Sequence, residues 1–179
     1  VRDKVFVEAF DIPADFTTAL IKTIADAGGI PIVSTYQQPV LRAMFKNASE
    51  EQMKLIGRVE RQRMESVQCY IGVRGSHNIS EMSDVPKDKM DLYERHWWTH
   101  VHQEVRVPKT RWVVLRWPHA AMAQAAGMST EAFEDFYFRV CAGVDYDRMK
   151  QAMMPLKDLM NRTDQVHITG PGTDLRFSI

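Results

Sequence analysis

The sequence has no excess of charge of either sign. Its 179 residues include 23 Lys and Arg against 23 Asp and Glu, which gives a formal net charge of zero. A protein that binds nucleic acid through its phosphates needs a basic excess or a basic stripe. We therefore expect no nucleic-acid partner.

Long hydrophobic runs are missing as well. A membrane-spanning helix needs ~20 consecutive apolar residues, and the sequence contains no such run. The first residues, Val1 to Val5, include three charged side chains and lack the apolar stretch of a signal peptide. We expect no membrane partner and a cytoplasmic location.

Cysteine is scarce. Only Cys69 and Cys141 occur, and they form neither a CxxC pair nor any metal-ligand spacing. Both lie in stretches predicted to be regular structure. We interpret them as two small, buried, apolar side chains in a reducing compartment.

What the sequence does contain is the composition of an ordinary soluble globular domain, with 45% hydrophobic and 26% charged residues. Predicted strands alternate with helices, which favours right-handed βαβ units. We predict a single α/β domain over residues 1–179, with three layers, a mainly parallel, Rossmann-like sheet with helices on both faces, and a final hairpin. The predicted strands are Lys4–Phe10, Ile30–Ser34, Val67–Val73, Trp112–Leu115, Val166–Thr169 and a sixth after the turn at 170–173.

Capping residues and the spacing of apolar residues predict where the helices lie. Asp11 and Pro13 are the residue types of a helix cap and a first turn, and they precede the first helical pattern. Ser49 is placed to cap a later helix through its hydroxyl. A stripe of apolar residues predicts one long α-helix over Pro86–Arg106.

The densest group of reactive side chains lies within that long helix. His96 and His100 are one helical turn apart, a spacing that can bring two imidazoles to one zinc ion. The HExxH motif is absent, and Glu104 lies two turns from His96, too far to bind the same ion. A metal site would need a third ligand from elsewhere, and the alternative is a polar flank beside a packing face. The same helix carries His102, Trp97 and Trp98.

Polar side chains also follow three of the predicted strands. Asp11 comes after the first strand, Arg74, Ser76 and His77 come after the third, and His119 comes after the fourth. Ligands of parallel sheets gather beyond the carboxyl ends of the strands. If the strand order makes these residues neighbours, they can bind an anion or do acid–base work. One hypothesis is therefore a stand-alone α/β module that binds a small anionic ligand at this edge.

The glycine-rich stretch 170–175 is not predicted to bind phosphate. It has no Gly-Lys-Ser/Thr of a Walker loop, and Leu175 stands where the dinucleotide fingerprint needs a third glycine. A strand follows it, where that fingerprint requires a helix. We predict a tight turn between two strands, whose glycines allow positive φ.

Several stretches in a fixed order resemble one known family. They are RWP at 116–118, AMAQAAGMS at 121–129, EAFEDF at 131–136 and GPGTDL at 170–175, with NISEMSDV at 78–85 after the third strand. Together they are similar to the N-terminal domain of the thermophilic-type metallo-aminopeptidases, the family of aminopeptidase T and aminopeptidase S. The order and spacing agree along the whole chain from the first strand.

The resemblance implies an exopeptidase that removes N-terminal amino acids with two divalent metal ions, zinc or cobalt. In that family the metal ligands are carboxylates, histidines and a tyrosine downstream of the GPGTDL turn. None of them can be placed on a residue of this sequence, so no catalytic, cofactor-binding or metal-binding residue is assigned. The resemblance also implies a homodimer and a peptide substrate bound through a missing catalytic domain.

The two ends of the sequence agree with that expectation. Val1 is not an initiator methionine, and the sequence stops at Ile179 in the middle of a strand-like alternation of Leu175, Phe177 and Ile179. We therefore expect residues 1–179 to be the N-terminal part of a longer chain, truncated at both ends. Alone, this part is predicted to be inactive, helping to wall a substrate cavity and to stabilise the assembly.

Overall fold

Four parallel strands form the central sheet of this chain. They are β1 (Lys4–Phe10), β2 (Ile30–Tyr36), β3 (Cys69–Arg74) and β4 (Arg111–Arg116), in the order β2-β1-β3-β4. All three pairings are parallel, which confirms the predicted mainly parallel sheet. The order also places the carboxyl ends of β1, β3 and β4 side by side.

The computed structural model describes residues 2–179. The chain forms two compact units, which divide between Glu134 and Asp135. The division falls within the helix Thr130–Cys141. The first unit contains the parallel sheet, and the second contains the last helix and a hairpin. Among the described residues, no helix has the length and apolar character needed to cross a membrane.

Three helices lie between the first strands: α1 (Ala14–Asp26), α2 (Gln38–Lys46) and α3 (Glu50–Glu65). The start of α3 is confirmed, because Ser49 Oγ accepts a hydrogen bond from the backbone N–H of Gln52 at 3.1 Å. Such a cap satisfies one of the helix's free N–H donors and contributes about 0.5–2 kcal/mol.

The predicted cap of α1 is wrong. The helix begins after Pro13 without a side-chain cap. Asp11 follows β1 in a left-handed conformation, with φ 45°, and its Oδ2 accepts the backbone N–H of Gln38 at 3.1 Å. The carboxylate therefore caps α2 instead, since the turn in the backbone directs it away from α1.

Helices cover both faces of the sheet because β1 is apolar on both sides. Phe6 packs on one face in a cluster with Met64 of α3, and Val7 packs on the other face with Ile24 of α1. Successive strand residues point to opposite faces, and each large apolar side chain stabilises the fold by about 1.5–3 kcal/mol when buried. The predicted three layers are confirmed.

The long helix is continuous but is not α-helical throughout. It consists of α4 (Lys87–Tyr93), a π-helix (Glu94–Arg106) and the short α5 (Val107–Lys109). The prediction of one α-helix over 86–106 is therefore wrong for its second part. Apolar residues four positions apart lie on the same face of an α-helix and of a π-helix. Their spacing therefore does not show whether the backbone hydrogen bonds are i→i+4 or i→i+5.

Two further helices follow β4: α6 (Ala120–Ala125) and α7 (Thr130–Cys141). The side chain of Cys69 is half-buried, whereas Cys141 is exposed near the end of α7, and both thiols are free. The expectation that both cysteines are buried is wrong for Cys141. The side chain of Cys141 is exposed to solvent, which the spacing of apolar residues in the sequence did not indicate.

The second unit contains α8 (Tyr146–Asn161) and a hairpin of β5 (Gln165–Gly170) and β6 (Thr173–Ser178). The two strands pair antiparallel, with Gly170 opposite Thr173. Gly172 has φ 70°, a conformation that glycine adopts without strain. The predicted tight turn and final hairpin are both confirmed, and the hairpin forms a sheet of its own.

Candidate functional site

A cavity of about 600 Å³ lies at the carboxyl edge of the parallel sheet. Asp11, His77 and His119 line it together, and Tyr36 and Trp117 contribute aromatic surface. The loops that carry the three polar residues follow β1, β3 and β4, which are neighbours in the sheet. We call this space the edge cavity.

The loops after β1 and β3 pack closely beside Asp11. The N–H of Gly75 donates to the carbonyl of Phe10 at 2.7 Å. A Cβ on Gly75 would stand 2.3 Å from the carbonyl oxygen of Asp11, far inside van der Waals contact. Gln38 Nε2 donates to the carbonyl of Gly75 at 2.9 Å. These contacts hold Asp11 in its left-handed conformation, which costs non-glycine residues about 1–2 kcal/mol.

His119 is the N-cap of α6, where its Nδ1 accepts the N–H of Met122 at 3.3 Å. Burial lowers the pKa of His119, and the charges of His77 and Arg116 lower it further. A neutral imidazole that accepts at Nδ1 carries its proton on Nε2. Glu134 adds a second carboxylate to the lining.

The chemistry of the edge cavity follows from this lining. The carboxyl groups of Asp11 and Glu134 line it together with the imidazoles of His77 and His119. Carboxylates accept hydrogen bonds and attract positive charge. The cavity thus suits an amine-bearing ligand better than an anion.

Two of the residues expected at this edge are directed elsewhere. Ser76 Oγ donates to the carbonyl of Asn78 at 2.8 Å and so closes a local turn. Arg74 lines a second cavity, where its Nη2 donates to Tyr70 Oη at 3.1 Å and its guanidinium lies 3.8 Å from the ring centroid of Phe10. The expectation that five polar residues cluster at this edge is therefore wrong for Arg74 and Ser76.

Strand alternation explains the position of Arg74. Tyr70, Gly72 and Arg74 share one face of β3, because every second residue of a strand does. A Cβ on Gly72 would lie 2.8 Å from Tyr70 Oη, so the glycine leaves room for that phenol. The same face of β1 carries Glu8, which pairs in register with Gly72. This spacing was available in the sequence and would have separated Arg74 from the loop residues.

A buried polar network surrounds Glu8, and sequence reasoning missed it. Tyr70 Oη and Arg106 Nη2 both donate to Glu8 Oε2, the latter at 3.2 Å. Glu8, Tyr70 and Arg106 are each less than a tenth exposed. Burial raises the pKa of the Tyr70 phenol, and the Glu8 charge raises it further, so Tyr70 stays a donor. The single acidic residue within an apolar strand was the signal for this network.

His96 and His100 lie on the π-helix, beside α3. A Cβ on Gly57 would stand 1.8 Å from the carbonyl oxygen of His96, so the glycine permits the two helices to touch. His96 Nε2 lies 3.5 Å from Glu50 Oε1, and His100 Nδ1 lies 2.9 Å from Glu104 Oε1. The two imidazoles therefore face different carboxylates.

A metal site needs several His, Cys, Asp or Glu side chains close to one another. Within residues 2–179, no three His, Cys, Asp or Glu side chains come together in a way that could hold a metal ion. A catalytic zinc site keeps three protein ligands. His96 and His100 thus lack the third ligand that the sequence hypothesis required, within the described part of the chain.

Comparisons with known proteins give two findings. A family model described as thermophilic metalloprotease (M29) matches residues 1–179. Wild-type AmpT from Thermus thermophilus is similar in structure, with a TM-score of 0.71 at 18% sequence identity, and the match covers 99% of this chain and 48% of that one. The chain thus spans about half the length of that structure, and at this identity the likeness shows the fold alone. A search of curated proteins gives no match.

Proposed function

The chain belongs to the thermophilic metalloprotease family M29, and from this premise we propose that it forms the N-terminal, non-catalytic domain of a metal-dependent aminopeptidase. The complete protein would remove N-terminal amino acids from peptides with two divalent metal ions, zinc or cobalt. The observation that carries the proposal is the family match over residues 1–179 combined with a ligand supply that does not fit a metal pair.

The chemistry of metal-assisted hydrolysis makes this division of roles physically reasonable. Paired metal ions activate a water and polarise the scissile carbonyl, and they need several carboxylate and histidine ligands held together. The side chains described between residues 2 and 179 do not supply such a group. We therefore assign no step of the hydrolysis to them and place the ligands outside this segment, consistent with its covering 48% of AmpT.

The edge cavity supports a role in forming the wall of the substrate site. Ligands of parallel α/β sheets bind beyond the carboxyl ends of the strands, where this cavity lies. Its volume of about 600 Å³ is that of a small-molecule pocket. Asp11 and Glu134 give it the negative character that a peptide α-ammonium group needs.

The first experiment tests where the chemistry resides. Purified chain 1–179 is assayed with leucine p-nitroanilide in added zinc or cobalt, beside the complete protein encoded by the gene. We expect hydrolysis only by the complete protein, with its loss on chelation. Hydrolysis by residues 1–179 alone, or an inactive complete protein, would contradict the proposal.

The second experiment tests whether the edge cavity forms part of the substrate-binding site. Glu134→Gln in the complete protein removes a charge from the edge cavity and should raise KM about tenfold while kcat changes little, since the charge contributes to binding and not to chemistry. Glu65→Gln makes the same change at an exposed i,i+4 pair with Arg61 and serves as the matched control. Equal KM values for both variants would exclude the edge cavity from substrate binding.

Two further properties belong to the same proposal. We propose a homodimer and a cytoplasmic site of action for the complete protein. Sedimentation analysis at micromolar concentration and fractionation of cells that express the tagged protein test them separately. A monomer, or a protein found in the extracellular fraction, would contradict the respective part.

A further inference from the structure

A second, smaller cavity lies over the face of the sheet, beside the π-helix. It has a volume of about 220 Å³, and its lining includes Glu8, Arg74, Trp98, His102 and Arg106. We call it the arginine cavity. It is smaller than a drug-sized pocket of ~300 Å³ or more and suits a molecule of amino-acid size.

The charges in the arginine cavity do not balance. Glu8 Oε2 lies 3.2 Å from Arg106 Nη2 and 3.8 Å from Arg74 Nη2, so one carboxylate faces two guanidinium groups. Glu60 pairs with Arg63 at 3.5 Å and also interacts electrostatically with Arg106, but it does not line the cavity. Among the described residues that line the cavity, the arginines therefore exceed the carboxylates by one.

His102 does not change this balance. Its Nδ1 lies 3.5 Å from Arg106 Nη1, a donor. Burial lowers the pKa of His102, and the charges of Arg106 and Arg74 lower it further. The imidazole is therefore neutral at pH 7, with Nδ1 facing a guanidinium.

Arg106 also has an unused hydrogen-bond donor. Its Nε is buried and has no hydrogen-bond partner among the described residues. Arg106 as a whole is only 7% exposed, so water does not readily supply that partner. Buried polar groups are nearly always hydrogen-bonded, and buried guanidinium groups are paired with anions. The guanidinium of Arg106 is thus paired with Glu8 but keeps one N–H donor without an acceptor among the described residues.

An aromatic surface adjoins the two arginines. The rings of Trp98 and His102 are stacked with centroids 4.8 Å apart, and Tyr93 and Trp97 line the same cavity. Indole faces pack well against the flat or apolar body of a ligand. The cavity therefore combines a site for one negative charge with a site for a small apolar group.

We propose that the arginine cavity binds a small carboxylate-bearing molecule. Its carboxylate lies against the guanidinium groups of Arg74 and Arg106, beside the Glu8 carboxylate that faces both, and its apolar body lies against Trp98. A guanidinium fork matches the two oxygens of a carboxylate, and the excess of one positive charge matches a monoanion. This site is separate from the edge cavity and does not depend on peptidase activity.

The test uses two probes of nearly identical shape. Phenylacetate carries the carboxylate, and phenylacetamide is its neutral counterpart. Calorimetric titration of chain 1–179 should show saturable binding of phenylacetate with Kd of about 1 mM or tighter and at least tenfold weaker binding of phenylacetamide. Equal binding of the two probes, or no saturation by phenylacetate at roughly 10 mM, would overturn the proposal.

Variants locate the binding. Arg74→Gln removes a half-buried guanidinium from the cavity and should weaken phenylacetate binding about tenfold or more. Arg58→Gln removes an exposed arginine of α3 and should leave the affinity unchanged. If Arg74→Gln fails to fold, Trp98→Leu, which removes the aromatic wall, should weaken binding several-fold. Unchanged affinity in Arg74→Gln or in Trp98→Leu would overturn the assignment.

Inorganic phosphate distinguishes a carboxylate site from a general anion site. Phosphate carries more than one negative charge at pH 7, exceeds the single positive charge in excess, and has no apolar body to occupy the aromatic surface. It should bind at least tenfold more weakly than phenylacetate. Tighter binding of phosphate would contradict the assignment to a carboxylate.

Discussion

Arg106 Nη2 donates to Glu8 Oε2 at 3.2 Å and so joins two residues that lie 98 positions apart in the sequence. Glu8 lies in the central strand β1, and Arg106 is the last residue of the π-helix. Both are nearly inaccessible to water. A buried pair of this kind costs desolvation energy on formation, but breaking it leaves a charge that nothing compensates.

The first prediction concerns this pair. Glu8→Gln should lower the free energy of unfolding by about 3–5 kcal/mol, because Arg106 would remain charged and buried without its partner. Urea unfolding monitored by circular dichroism measures the change. Glu65→Gln alters an exposed i,i+4 pair with Arg61 and should cost less than about 1 kcal/mol. An equal decrease in the free energy of unfolding in the two variants would show that the buried pair contributes no more to stability than the exposed pair.

The same pair shows where sequence reasoning succeeds and where it stops. The apolar run around Glu8 predicts β1 correctly, because hydrophobic patterning fixes which residues enter the core. It does not predict the partner of Glu8, since contact between β1 and the end of a helix nearly a hundred residues later depends on how helices pack over the sheet.

The edge cavity was more predictable. Asp11, His77 and His119 follow strands, and carboxyl ends of parallel strands meet at one edge, so only the strand order was needed to bring them together. Arg74 was misplaced because it is still within β3, where alternation and not strand order decides its direction. The π-helix was not predicted, since an apolar stripe at four-residue spacing fits both kinds of helix.

The second prediction concerns the contact between α3 and the π-helix. A Cβ at Gly57 would meet the backbone carbonyl of His96 at 1.8 Å, and backbone cannot move aside as a side chain can. Gly57→Ala should therefore destabilise the fold by about 1–3 kcal/mol, although alanine is the better helix former. Thermal unfolding gives the measurement. At Gly170 a Cβ meets nothing within 4 Å, and Gly170→Ala should change stability by about 0.5 kcal/mol or less.

The third prediction is a pH dependence at His119. Burial, with the charges of His77 and Arg116, lowers its pKa in the folded state, so the unfolded chain binds the proton more readily. The stability associated with His119 is fully present above the unfolded pKa of about 6.5 and is lost as the pH falls from there through the folded pKa. His119→Asn keeps a good N-cap residue and should flatten this part of the curve of unfolding free energy against pH.

A direct check on that prediction is the NMR titration of the imidazole. The resonance of the His119 ring should shift with a midpoint below that of histidine in a capped model peptide under the same conditions. A midpoint at or above the peptide value would contradict the assigned direction and remove the reason for the pH dependence.

The last prediction concerns Asp11, whose backbone lies at φ 45° while its carboxylate accepts the N–H of Gln38 at 3.1 Å. Asn tolerates the left-handed region and retains a side-chain oxygen, so Asp11→Asn should remain close to the wild type in stability. Asp11→Gly relieves the backbone but loses the hydrogen bond. Asp11→Ala loses the bond and keeps the strain, at a cost of about 1–3 kcal/mol in all. Urea midpoints should rank Asn above Gly and Gly above Ala; an alanine variant as stable as the glycine variant would show that the left-handed backbone costs nothing here.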